Sequence, residues 1–257
     1  MRVFDLAFDY LLDTTPPGKD PDSHSRRLKA DHQLLWTKEL CEGQLFELVV
    51  SEDPKVRRKN YLIFEQTPDK WFTFGSDAIT NSYTRWGRPK ALVEAKAALS
   101  DEQKRRYFNP PYTIGSAMIW PVGTVHLPTL NTARGMRIRI ADRMDLSLEC
   151  IRRHYANEPG GPLADVITNY GDFFELFGTF EKFVEFFHFQ DLVTPEGKID
   201  FFLEEDEDEV FERPGVPVTK DEYIKVREAS LKFIALRGNR MADWVEENHP
   251  DIKVRRQ

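Results

Sequence analysis

The sequence predicts an α+β fold, with a mixed or antiparallel sheet in the N-terminal half packed by helices mostly from the C-terminal half. Three observations carry this. Short apolar runs separated by polar turns dominate the chain up to Val122. Apolar residues at helical spacing dominate from Asp145 onward. The two kinds of segment do not alternate regularly, which disfavours a doubly wound parallel sheet. No internal repeat and no linker between two cores is visible. Residues 1–257 are therefore expected to form one compact domain, with an acidic excursion at 194–221.

Phe4 to Tyr10 reads as a strand, and the Pro- and Gly-rich stretch from Thr14 to Asp22 as a loop. Ser23 or Ser25 is placed to cap a helix reaching Trp36, with Leu28, Asp31/His32 and Leu35 on one face. Leu45–Val50, Tyr61–Gln66 and Trp71–Phe74 read as strands. Pro89 to Arg106 suits one helix with Leu92, Ala95 and Leu99 as its inner stripe. Tyr112 to Val122 is the clearest strand, expected to be central and covered on both faces, with Gly115 marking a bulge or a close backbone approach. A helix starts near Asp145 and turns Leu148, Ile151 and Tyr155 inward, leaving Glu149, Arg152 and Arg153 on other faces. Leu163–Phe177 and Thr179–Gln190 read as two aromatic helices separated by a Gly178 stop and a Thr179 cap. Ile199–Leu203 reads as a strand and Glu204–Glu209 as an exposed acidic loop. The stretch Thr219-Lys220-Asp221-Glu222 is a capping box opening a long helix.

Composition narrows the class. With 40% hydrophobic and 31% charged residues the chain is globular, and 19 Phe supply much of its core. No run approaches the roughly 18 apolar residues that span a bilayer, so no membrane role is expected. The N-terminus does not read as a signal peptide, because aspartates interrupt its apolar run. The 2 cysteines, Cys41 and Cys150, fit no zinc or redox spacing, and a reducing cytoplasm is expected. Net charge is −7 but segregated: residues 52–158 hold 18 Lys/Arg against 12 Asp/Glu, and residues 159–221 hold 4 against 16. Such a basic centre either binds an anionic ligand or is neutralised by the acidic flank across the fold.

The densest chemistry lies between Asn131 and Tyr155. Arg134, Arg137 and Arg143 offer guanidinium forks suited to phosphate or carboxylate, and Asn131 is placed to position a ligand. Gly135 allows a positive-φ turn that would aim Arg134. Asp142 and His154 are the acid–base candidates. The bland alternative pairs Arg143 with Asp142 or Glu149, leaves Arg152 and Arg153 solvated, and sets His154 against the helix C-terminal carbonyls. A weaker metal set is Asp20, Asp22, His24 and His32, against which stands ordinary turn and cap chemistry. The phenylalanines of 173–189 match core periodicity better than a base-stacking surface.

Three strings carry a family resemblance: Gly18-Lys19-Asp20-Pro21-Asp22-Ser23-His24-Ser25 running on to Trp36, Tyr112 through Pro121, and Asn131-Thr132-Ala133-Arg134-Gly135 through Asp142-Arg143 to Arg152-Arg153-His154-Tyr155. With Gln190-Asp191-Leu192, they make the chain similar to an uncharacterised bacterial domain-of-unknown-function family. The chain departs at Asp31, where a tyrosine is more usual, and at Thr37, which replaces a serine. The resemblance implies one domain and brings no activity, cofactor or catalytic residue.

The leading expectation is a protein that binds or acts on a phosphate-bearing ligand, a nucleotide or nucleic-acid end, through the Arg/Asp cluster. The alternative from another class is a non-catalytic interaction module docking a basic protein partner on the acidic 194–213 segment. A metal-dependent hydrolase is third.

Overall fold

The computed structural model describes residues 7–40, 43–50, 62–79, 90–108, 110–123 and 128–256. The strands are β1 (Phe8–Asp9), β2 (Lys38–Glu39), β3 (Leu45–Phe46), β4 (Val49–Val50), β5 (Leu62–Thr67), β6 (Lys70–Ala78), β7 (Ala117–Val122) and β8 (Val254–Arg255). The helices are α1 (Pro21–His24), α2 (Arg26–Trp36), α3 (Lys90–Ala97), α4 (Asp101–Phe108), α5 (Leu130–Met136), α6 (Met144–Ala156), α7 (Ala164–Asn169), α8 (Gly171–Glu175), α9 (Phe180–Phe186) and α10 (Lys220–Asn248). An antiparallel sheet of order β4-β5-β6-β7, built in the first half, is covered by helices from the second, which is the expected α+β arrangement.

The core is aromatic, as composition requires. Phe74 of β6 contacts Phe46 and Phe173, and Phe177, Phe183, Phe186 and Phe187 form a mutually packed cluster beneath. These rings are buried, so the phenylalanine-rich stretch builds the interior. Leu92, Ala95 and Leu99 pack with Tyr107 against Tyr223 and Val226 of α10.

Several elements depart from the sequence reading, each for a physical reason. Residues 4–6 of the first predicted strand lie outside the described residues, and Phe8–Asp9 pairs parallel with Val254–Arg255. The predicted strand Leu45–Val50 splits into β3 and β4, which join different sheets. The helix predicted from Pro89, itself outside the described residues, breaks into α3 and α4. Ser100 supplies the break, its Oγ accepting from Gln103 N at the start of α4. Leu163–Phe177 likewise divides into α7 and α8. Ile199 makes only an isolated bridge to Val193 in place of a strand.

Strand β7 lies at the edge of the sheet among the described residues, although its side chains are buried. Pro121, which cannot donate to a ladder, explains why this position is not central. Gly115 just before it marks a close backbone approach: a Cβ there would sit 2.7 Å from Ile234 O and 3.4 Å from Gly238 Cα of α10. Buried Arg237 of α10 then donates to Gly115 O, Ala117 O and Phe187 O, tying this strand and the end of α9 to the long helix. Thr219 caps α10 through Glu222 N, while Glu222 reaches Val218 N.

Candidate functional site

Ser25 caps α2 by accepting from Leu28 N, which frees the preceding Asp20-Pro21-Asp22-Ser23-His24 to form the one-turn helix α1. That turn packs against the end of β6, where Asp77 is placed. The half-buried carboxyls of Asp22 and Asp77 lie close enough for the charge of one to act on the other. Tyr112 Oη donates to Asp22 Oδ1, and Asn131 Nδ2 donates to Asp77 Oδ2. Burial first, and then the Asp77 charge, push the Asp22 carboxyl up to about 8, against the Tyr112 hydrogen bond that works the other way. Burial also raises Asp77; the bond from Asn131 opposes this, and the Asp142 charge adds to it. Burial and the neighbouring charge therefore act on both carboxyls in the same direction, towards the protonated form.

Arg134 lies behind this pair, fully buried on α5. Its guanidinium sits 4.6 Å from the Trp120 ring centre and donates to Ser147 Oγ at 3.0 Å. It also reaches Asn131 Oδ1 at 3.4 Å and the Asp142 carboxylate at 3.9 Å. Asp142 returns the contact by donating its backbone N–H to Arg134 O at 3.0 Å. Asn131–Gly135 is therefore helical, and Gly135 is not the positive-φ turn the sequence suggested. The left-handed residues are Ala141 (φ 49°) and Asp142 (φ 60°) instead. For two non-glycine residues this is strained backbone, held by the Arg134–Asp142 clasp.

The other predicted residues go elsewhere. Arg143 is buried and donates to Asp145 at 2.5 and 3.1 Å and to Glu205 at 3.0 Å. Burial alone would lower its pKa, and these two carboxylates more than reverse that, so it is raised. Arg137 pairs with Asp165 and donates to Pro162 O. Neither Asp142 nor Glu149 pairs with Arg143 in the way the ion-pair alternative supposed. His154 meets Tyr155 edge to face and Phe174 at a tilt, and its pKa is lowered by burial first. Of the metal set, Asp20 and His24 are exposed, with His24 Nδ1 at 3.2 Å from Asp20 O. His32 is fully buried between Trp36 Nε1 and Ser76 Oγ, and burial drives its pKa down to about 3. Of that set only Asp22 approaches the Asn131–Arg134–Asp142 group, and it does so through Asp77.

Helix α6 overturns a further expectation. Glu149 is fully buried and accepts from both Arg152 and Arg153, so neither arginine is left to solvent. The acidic run is not simply an exposed loop either: Glu205 and Glu207 turn inward to Arg143, Arg213 and Arg152. Glu149, Glu158 and Glu207 bring carboxylate oxygens within 4.8 Å of one another, but Arg152 contacts all three. The basic centre and the acidic flank neutralise each other along this face.

Residues 4–241 match the Family of unknown function (DUF6994). The chain belongs to that family. No curated protein and no solved structure matches it. Two residues of this DUF6994 site escaped the sequence reading as site members, Asp77 and Tyr112. The available signal was a carboxylate ending an aromatic strand (Trp71-Phe72-Thr73-Phe74-Gly75-Ser76-Asp77), where solvent is scarce and a charge needs a reason. Among the described residues no helix is long and apolar enough to cross a membrane.

Proposed function

We propose that this DUF6994 protein binds a divalent cation through Asp22 and Asp77 and, through that cation, a phosphate-bearing ligand such as a nucleotide. The observation that carries the reading is the meeting of two half-buried carboxyls where α1 packs on β6, Asp22 held by Tyr112 and Asp77 held by Asn131. Four carboxyl groups, those of Asp20, Asp22, Asp77 and Asp142, act on this locality against one guanidinium, Arg134. Two hard oxygen ligands from Asp22 and Asp77 suit a magnesium-like ion, which completes its shell with waters and phosphate oxygens. Arg134 alone, among the arginines proposed to hold phosphate, adjoins the site; Asn131 positions Asp77, and Asp142 holds Arg134. Arg137, Arg143 and His154 have no part in this reading. The acidic 194–213 segment is a weaker claimant for a partner, because Glu205 and Glu207 are engaged internally.

Thermal unfolding with Mg2+ or Mn2+ alone, then with AMP added, tests this. A cation at 100 times its Kd stabilises by about 2.7 kcal/mol. The gain should grow as pH rises through 8, since Asp22 must lose its proton to bind. It should vanish in Asp22→Asn and Asp77→Asn. A wild-type melting temperature that ignores both cations at millimolar concentration ends the proposal.

A further inference from the structure

A second locality, built from other elements, has a different chemistry. A cavity of about 570 Å³ lies between β2, α9 and the C-terminal half of α10, and Lys38 lines it. Lys38 Nζ donates to Phe186 O at 2.9 Å and lies 2.9 Å from His188 Nε2. The rings of Trp36, Phe186 and Trp244 surround it at 5.1, 5.1 and 4.6 Å. His188 is held in the left-handed region at φ 57°, a costly conformation for a histidine that the turn after α9 enforces.

We propose that Lys38 is a nucleophilic amine that condenses with a small neutral aldehyde or ketone entering this cavity. A neutral amine has two N–H groups and one lone pair. The two hydrogens match the two acceptors present, Phe186 O and His188 Nε2, which leaves the lone pair for a carbonyl carbon. His188 serves as an acceptor, because burial first, and also the Arg237 and Arg240 charges, lower its pKa. It is a positioning residue for the amine. Burial and the nearby Arg237 guanidinium also bring Lys38 down to about 7, Glu185 opposing them. The aromatic faces favour the ammonium form and act in the same direction as Glu185.

The charges around the mouth select the ligand. Glu39, Glu185 and Glu247 are exposed on the rim beside an Asp243 already paired with Arg256, against Lys182 and an Arg240 already paired with Asp191. An anionic carbonyl compound meets repulsion there, whereas a neutral one with an apolar stub meets Phe177, Phe186 and Trp244. In the reaction the Nζ lone pair forms a C–N bond and the carbonyl π pair moves to oxygen. The carbinolamine then loses water as the C=N bond forms. Both hydrogens that began on Nζ leave in that water, carried by solvent, and no oxidant or reductant is consumed.

Reductive trapping tests the inference on the intact protein. Propanal and cyanoborohydride at pH 7, followed by peptide mass spectrometry, should propylate Lys38 at least about tenfold faster than Lys182. Lys182 lines the same cavity but is exposed, which makes it the internal reference. The ratio should shrink as pH is raised to about 10, where surface lysines also lose their protons. Equal or slower labelling of Lys38 at pH 7 overturns the proposal. Glyoxylate labelling Lys38 faster than propanal overturns the neutral ligand class. Neither readout depends on a variant that has to fold.

Discussion

Two charge-rich regions of this molecule look alike in sequence and differ in kind. Along α6, cations and anions are matched: Arg143 with Asp145 and Glu205, Arg152 and Arg153 with Glu149, and Arg152 again with Glu207. Where α1 meets β6, two carboxyls are crowded together, Asp22 beside Asp77, and burial with the neighbouring charge raises Asp22. Matched charges need nothing further and read as structure. A crowded carboxyl pair, kept at the half-exposed end of a sheet where an apolar residue would be cheaper to fold, reads as a place for a ligand. Charge density therefore does not mark the site; mismatch does.

The sharpest way to break the contrast is to unpair the matched region. Asp145 accepts from Arg143 and also from Phe202 N at 2.8 Å, all away from water. Asp145→Ala leaves a buried guanidinium short of one counter-charge and should cost about 3–5 kcal/mol in urea unfolding. A loss under about 1 kcal/mol would mean that Glu205 alone satisfies Arg143.

Arg134 stands between the regions, joining Ser147 of α6 to Asn131 and Asp142 of the carboxyl site. Arg134→Met keeps much of the volume against Trp120 and removes the hydrogen bonds. The expected loss is about 2–3 kcal/mol. Because Ala141 and Asp142 are strained, amide exchange around residues 140–143 should quicken more than in α6. Uniform quickening in both places would deny Asp142 its dependence on Arg134.

The carboxyl pair predicts a pH dependence with a definite sign. Asp22 is raised to about 8 in the folded state from an unfolded value near 3.8. Between these values the unfolded chain has released a proton that the folded chain keeps. Stability therefore falls as pH rises from about 4 to about 8 and is flat above. Asp22→Asn should flatten that fall by an amount on the order of 1 kcal/mol or more, most visibly between pH 6 and 8. Asp31, which burial raises to about 6, accounts for slope remaining below pH 6. An unchanged profile in the variant would show that Asp22 is not raised in the folded protein.

How much of this was legible in the sequence follows from the distance over which each feature is decided. Caps and stops were readable, as with Ser25, Gly178, Thr179 and Thr219, because their partners lie within four residues. The burial of Leu148, Ile151 and the phenylalanines followed from periodicity. Glu149 was misplaced because its inward position is stabilised by arginines that local pattern assigns to solvent. Arg134, Asn131 and Asp142 were found together because one helix and the following turn hold them. Their partners were not found with them: Asn131 meets Asp77 across 54 residues and Tyr112 meets Asp22 across 90. No spacing rule reaches that far, and sheet register decides such meetings.

The smallest expected effect sharpens the contrast from the matched side. Glu158 is exposed, and its side chain accepts from Arg152 at 2.8 and 3.1 Å, a contact that lowers its pKa. Arg152 keeps Glu149 and Glu207 when Glu158 is removed, so Glu158→Ala should cost no more than about 0.5 kcal/mol, and less at high salt. If it costs as much as Asp145→Ala, then Arg152 depends on all three carboxylates together. The outer rim of α6 would then be as tightly built as its buried end, and matching, rather than burial, would set the stability of this face.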